Sequence, residues 1–159
     1  MTPLRQIRAA IGIGIVGLVL SGVTAFPLLP EMNLLAAMLA GESRDPSVHV
    51  GLVKWILTVR EGLELTYQKF PFIAYGTDWL AFAHLMIALF FILPWRDPVR
   101  YEGVLKMGVV MCLLVIPLAF ICGPIRGIPL GWRLIDCSFG VLCLPPLWFA
   151  LWKIRWLKV

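Results

Sequence analysis

The chain has 159 residues, of which 60% are hydrophobic and 14% charged, with a net charge of +5 and a mean hydropathy of +0.90. Soluble domains carry about a quarter charged residues, so this composition excludes an ordinary water-soluble fold. A nucleic-acid partner is excluded too, because no stretch interleaves basic and aromatic side chains as such a surface requires.

The apolar residues fall in four blocks, Ala9–Leu29, Ala74–Leu93, Val104–Cys122 and Leu134–Trp152. A bilayer core of ~30 Å takes about 20 apolar residues at ~1.5 Å each. The blocks therefore predict an all-α integral membrane protein, one membrane domain over residues 1–159 with four transmembrane helices. Arg5, Arg8, Arg96, Arg100, Lys106, Lys153, Arg155 and Lys158 fall on one side, against Asp97 and Glu102 alone. The other side has six basic residues and seven acids. Basic residues mark the cytoplasmic side, so both termini are expected in the cytoplasm and the chain in the cell (inner) membrane. The sequence pI near 9.3 follows from that asymmetry.

Arg5, Arg8 and Val23-Thr24-Ala25 also fit a cleaved signal peptide. Phe26-Pro27 is a poor mature start and the apolar run continues to Leu29, so a retained span is the better reading. Within it, Gly12-Ile13-Gly14-Ile15-Val16-Gly17 matches a dinucleotide fingerprint by letters only, since no strand precedes it. Gly14, Gly17, Ser21 and Ala25 instead predict a small face for helix packing.

The outer segment 30–73 turns at Glu42-Ser43-Arg44-Asp45-Pro46 and then predicts an amphipathic helix over 47–70, N-capped by Ser47. Val48, Leu52, Trp55, Ile56, Val59, Leu63, Tyr67 and Phe70 share its apolar face, and Arg60–Glu64 forms an i,i+4 pair. Such a helix lies on the membrane surface or across the bundle mouth. His49 is read as a solvated polar residue. The turn 94–100 makes spans two and three antiparallel neighbours. Residues 123–133, with two prolines and three glycines, are expected to be irregular. Pro145-Pro146 is expected to kink span four.

In span two, Ala74, Thr77, Ala81, His84 and Ala88 share a small face, with the bulky Trp79, Phe82, Met86, Phe90 and Phe91 mostly elsewhere. That places His84 inside the bundle, ~15 Å from Ala74. Asp78 is ~9 Å shallower, at the depth of Asp136 on span four. With Arg133, Arg126 and Tyr75, these residues are expected to gather at the outer mouth of the bundle. Ionisable groups in spans are costly, so they face inward and pair, and each is a candidate site. Two carboxylates against two guanidiniums fit a structural lock over the turn. The same planar guanidinium forks fit a phosphate or carboxylate ligand.

Cys112, Cys122, Cys137 and Cys143 form no C-x-x-C and no zinc-type spacing. They read as small buried residues, with a Cys122–Cys137 disulfide the alternative. No nucleophile–base set is present. The favoured function is a non-catalytic accessory or lipid- or anion-binding protein, with the bilayer as partner and room for a homo-oligomer or larger complex. The first alternative is redox, with haem or quinone held through His84. The second is a transporter or proton relay through Asp78 and His84.

Overall fold

The computed structural model describes residues 2–157, so Lys158, counted above among the basic residues, lies outside them. Among the described residues six α-helices follow one another: α1 (Pro3–Ala25), α2 (Leu28–Leu39), α3 (Gly51–Lys69), α4 (Ala74–Arg96), α5 (Glu102–Ile125) and α6 (Leu130–Leu157). Among the described residues there is no strand. Four helices are long and apolar enough to cross a membrane: α1, α4 with the short 3-10 turn before it, α5 and α6. Each overlaps one of the four apolar blocks.

The chain divides into two compact units. The first joins residues 1–19 to residues 85–159. Its core lies where the start of α1, the end of α4, the start of α5 and the end of α6 meet. Ile7, Ile11, Phe91, Leu105, Leu147, Ala150 and Ile154 are buried there together. Burial of the larger of these side chains is worth about 1.5–3 kcal/mol each relative to exposure to water; against lipid the gain is in packing alone. Outside that core the helices turn apolar surface outward; only 17% of the apolar stretch of α5 is buried by the protein itself.

Within this unit α5 and α6 pack through glycine. A Cβ on Gly108 would meet Phe91 and Leu147, and one on Gly140 would strike the Cys112 backbone. The small face predicted on α1 does not work that way, because a Cβ on Gly14 or Gly17 would meet nothing within 4 Å. The packing glycines are on the other helix pair.

The second unit spans residues 20–84. It corrects several sequence expectations. Span one ends at Ala25, not Leu29, because Phe26-Pro27 breaks the chain and α2 starts anew. Pro30 sits in the first turn of α2, where its missing N–H would have had no helical acceptor. At 12 residues α2 is ~18 Å long, too short to span a bilayer. It packs on α3 as a hairpin, burying Ala36 and Ala40 on one side and Leu57 on the other, with Val53 packed against them.

Thus α3 turns Val53, Ile56 and Leu57 inward, and Val48, Leu52 and Phe70 of the predicted apolar face are exposed. Helix α3 also starts later than predicted. A 3-10 turn covers Pro46–Val48, and Ser47 donates its backbone N–H to Asp45 Oδ1 at 2.8 Å instead of capping α3. That hydrogen bond holds the exposed Asp45 carboxyl below its ordinary pKa. Val50 is the N-cap, with no side-chain bond. His49 is bonded to the Ser43 carbonyl at 3.0 Å and is not merely solvated. The Arg60–Glu64 pair forms at 3.1 Å, and Arg60 Nε also donates to Asn33 Oδ1 at 2.6 Å, tying α3 to α2.

Gly51 opens α3 with φ +61°, a conformation that costs an L side chain ~1–2 kcal/mol. Gly51→Ala is therefore expected to destabilise the α2–α3 hairpin by about 1 kcal/mol, read as a lower unfolding midpoint. An unchanged midpoint would mean that the loop relaxes freely.

Candidate functional site

The predicted irregular stretch 123–133 is much shorter in the structure. Helix α5 runs through Gly123-Pro124 to Ile125, and α6 begins at Leu130. Gly127, at φ +68°, ends α5 in a left-handed turn. Gly127 N–H donates to the Pro124 carbonyl at 3.1 Å, and Ile128 N–H reaches the Gly123 carbonyl at 2.9 Å. These two bonds satisfy carbonyls that a helix end would otherwise leave free. They also fold Ile128 back toward the helix pair.

The result is a groove of about 320 Å³ between α5 and α6, walled by Val115, Leu118, Ala119, Cys122 and Ile128. Two charged residues open onto it, Arg133 and Asp136, one turn apart on α6. The stem of Arg133 lies against Gly123, where a Cβ would collide with it. Its guanidinium stands 5.8 Å from the centre of the Phe120 ring, a cation–π contact. Its Nε is buried and has no hydrogen-bond acceptor. The other such buried side-chain atom among the described residues is Trp55 Nε1. An unsatisfied buried donor costs ~1–3 kcal/mol, more when charged.

Arg133 and Asp136 do not neutralise each other. The ion pairs among the described residues are Arg60–Glu64 and Lys106–Glu102. Asp136 is half-buried and accepts no hydrogen bond within the described residues. Arg126 is the C-cap of α5 and donates its backbone N–H to the Cys122 and Gly123 carbonyls, while its side chain is exposed. The lock expected from charge balance therefore has no Arg133–Asp136 ion pair at its centre.

Tyr75, Asp78 and His84 belong to the other unit. Tyr75 is 62% exposed and meets Trp79 edge-on, with ring centres 6.0 Å apart. Asp78 is half-buried. Thr77 donates to the Ala74 carbonyl at 2.6 Å and lies 3.5 Å from the Tyr67 hydroxyl. The small face of α4 is the sheltered one: Ala81 and Ala88 are 0% and 3% exposed, whereas Trp79 and Phe90 are mostly exposed. Phe91, expected away from that face, is buried in the core of the first unit.

His84 is half-buried, with Nδ1 2.8 Å from the Leu80 carbonyl oxygen. A carbonyl only accepts, so Nδ1 holds the proton and the lone pair of the neutral ring is on Nε2.

The four cysteines are free thiols. Cys137 is buried, Cys112 and Cys143 are half-buried, and Cys122 is exposed on the groove. The expectation of four buried small residues thus fails at Cys122, because α5 continues past it and turns it to the groove.

Sequence reading missed Phe120, Gly123 and Ile128. Gly123 and Phe120 are three residues apart on a helix that continues through Gly123-Pro124, and that spacing is the available signal. Comparison with known protein families, curated proteins and solved structures finds no match, so the chemistry of the groove has to carry the functional reading alone.

Proposed function

We propose that this chain is a four-span membrane protein with both ends in the cytoplasm, and that its outer groove holds the anionic head group of a lipid without catalysing a reaction. The observation that carries the reading is the buried, unpartnered Nε of Arg133 on an apolar groove. A phosphate oxygen would satisfy that donor, and the guanidinium fork suits phosphate geometry. Leu118, Ala119 and Ile128 offer an apolar wall to the first methylenes of an acyl chain. Arg126, exposed on the adjoining turn, adds positive charge, and Asp136 opposes an anion and favours a head group that also carries an amine or hydroxyl.

Two features support the orientation. The basic residues concentrate beside Arg8, Arg100 and Arg155, as the cytoplasmic side requires. In the first unit Arg8 also donates to the carbonyls of Trp95 and Arg96, so the start of α1 and the end of α4 share one end of the unit.

The test is lipid retention. Protein purified in mild detergent from membranes containing phosphatidylglycerol is expected to retain that lipid, and Arg133→Gln to retain about tenfold less, since a charge-assisted hydrogen bond is worth ~1.5–3 kcal/mol. Asp136→Asn is expected to retain at least as much as wild type. If Arg133→Gln lowers only the melting temperature and keeps the same lipid, the groove is a structural joint.

A second reading rests on the His84 tautomer. Its Nε2 lone pair meets no partner among the described residues, which suits a haem iron or a quinol hydroxyl. A Soret band that disappears in His84→Ala would establish haem; a spectrum with only aromatic bands removes it.

A further inference from the structure

Two thiols face each other across the α5–α6 crossing. On α5, Leu105, Gly108 and Cys112 recur at steps of three and four; on α6, Gly140, Cys143, Leu147 and Ala150 do the same. All are buried or half-buried, so these are the stripes by which the helices pack. The register is set by contact. Gly108 stands against Leu147. The helices run antiparallel, so four residues onward along α5 corresponds to four residues back along α6. That step leads from Gly108 to Cys112 and from Leu147 to Cys143. Gly140, three residues before Cys143, stands against the Cys112 backbone and brings the two helices close at that level.

Helices packed 8–10 Å apart, with Cα atoms ~2.3 Å from each axis, leave directly facing Cα atoms about 3.4–5.4 Å apart, and the upper part of that range is what a disulfide needs. A disulfide spans Cα atoms about 4.4–6.8 Å apart. Cys122 and Cys137 do not match this register, since the partner of Cys122 by the same counting is residue 133.

We propose that Cys112 and Cys143 form a reversible disulfide that staples α5 to α6. Two S–H bonds break and one S–S bond forms, and two electrons and two protons pass to an acceptor. Cys112 is ten residues from the start of α5 and thirteen from its end, ~15 Å and ~20 Å along the helix. On the membrane-spanning reading, on which this choice of oxidant rests, that is deep in hydrocarbon. The acceptor is therefore a neutral, lipid-soluble quinone, which leaves as the quinol. A charged oxidant such as glutathione disulfide does not reach the pair.

The full-length protein in detergent micelles is treated with duroquinone, whose fully substituted ring does not arylate thiols. It is then unfolded, alkylated with a maleimide and mapped by mass spectrometry. The expected result is two alkylated cysteines of the four, a linked peptide joining Cys112 to Cys143, one quinol per chain, and recovery of all four thiols with dithiothreitol. Glutathione disulfide under the same conditions is expected to leave four. Cys143→Ser is expected to leave three alkylated cysteines and no link, with Cys112→Ala as the second variant should the first fold poorly. Arg133→Gln is expected to link as wild type, which separates this test from that of the lipid groove. Four free thiols after duroquinone, or a link joining Cys122 to Cys137, overturns the proposal.

Discussion

Gly140→Ala is expected to destabilise the α5–α6 pair by about 2–3 kcal/mol, more than any other single added methyl in a helix of the chain. The new Cβ would overlap the carbonyl oxygen of Cys112 and lie 3.3 Å from its carbon and 3.5 Å from its Cα. All three atoms are backbone of a helix, so none can rotate away as a side chain does. Relief requires the helices to separate, and separation opens the contact between Gly108 and Leu147 further along the same pair. Overpacking a fitted interface costs ~1–3 kcal/mol where side chains can adjust, and here the cost should lie at the top of that range. Alanine's better helix propensity, worth up to ~1 kcal/mol, offsets only part.

Gly108→Ala is expected to cost less, because its Cβ meets the Phe91 ring and a Leu147 methyl, both of which can turn. Gly14→Ala is expected to be neutral or slightly stabilising, since its Cβ meets nothing within 4 Å. The order is measured by thermal unfolding in detergent, followed by near-ultraviolet circular dichroism, which reports packing instead of helix content. A Gly140→Ala protein as stable as Gly14→Ala would show that the two backbones do not approach there.

This series also marks what the amino-acid order can and cannot convey. The four long helices were legible because runs of about twenty apolar residues have few alternatives. Their ends were less so: Pro27 stops a helix in this chain, whereas Pro124, Pro145 and Pro146 do not. Proline removes one donor wherever it sits, and only the packing around it decides whether the helix continues. Helix α2 was missed because Leu28–Leu39 is apolar and too short to span, and only its pairing with α3 gives those residues somewhere to be buried. Smallness was visible in the glycines of α1, yet smallness does not name a partner; the close approach occurs at Gly108 and Gly140.

The candidate groove was half legible. Arg133 and Asp136 stood out as charges in an apolar run, and both open onto one groove. The neutralisation of Arg126 and Arg133 by Asp78 and Asp136 was an argument from counting charges, and among the described residues Arg133 and Asp136 form no ion pair. The two residues are neighbours on one face of α6, but the Phe120 ring and Gly123 hold the guanidinium against α5. His84 was placed by its neighbours Thr77, Ala81 and Ala88, and the sheltered side of α4 agrees. The bond to Leu80, which fixes the free nitrogen, is local to that helical turn and was not written in the pattern.

Arg8→Ala is expected to lower stability by about 2–3 kcal/mol, a large effect for a residue outside the hydrophobic core. Arg8 Nε donates to the Trp95 carbonyl at 3.1 Å, and another guanidinium nitrogen donates to the Arg96 carbonyl at 2.9 Å. Those carbonyls belong to the last turn of α4, where no further N–H is available within the helix. The same guanidinium lies 5.8 Å from the Trp95 ring centre. One side chain thus caps two acceptors, faces the negative end of the helix dipole and covers an indole. Each charge-assisted bond is worth ~1.5–3 kcal/mol when sheltered, and the partial exposure of Arg8 halves that. Lysine keeps the positive charge but offers a point donor, so Arg8→Lys is expected to recover less than half of the loss. Arg5→Ala, at an exposed position without these bonds, is expected to change stability by under ~0.5 kcal/mol. Melting temperatures of the three variants in one detergent decide the matter. If Arg8→Lys matches wild type, charge alone fastens α1 to the end of α4. If it falls near Arg8→Ala, the fork does, and a positive charge at this position is not enough to hold the two helices together.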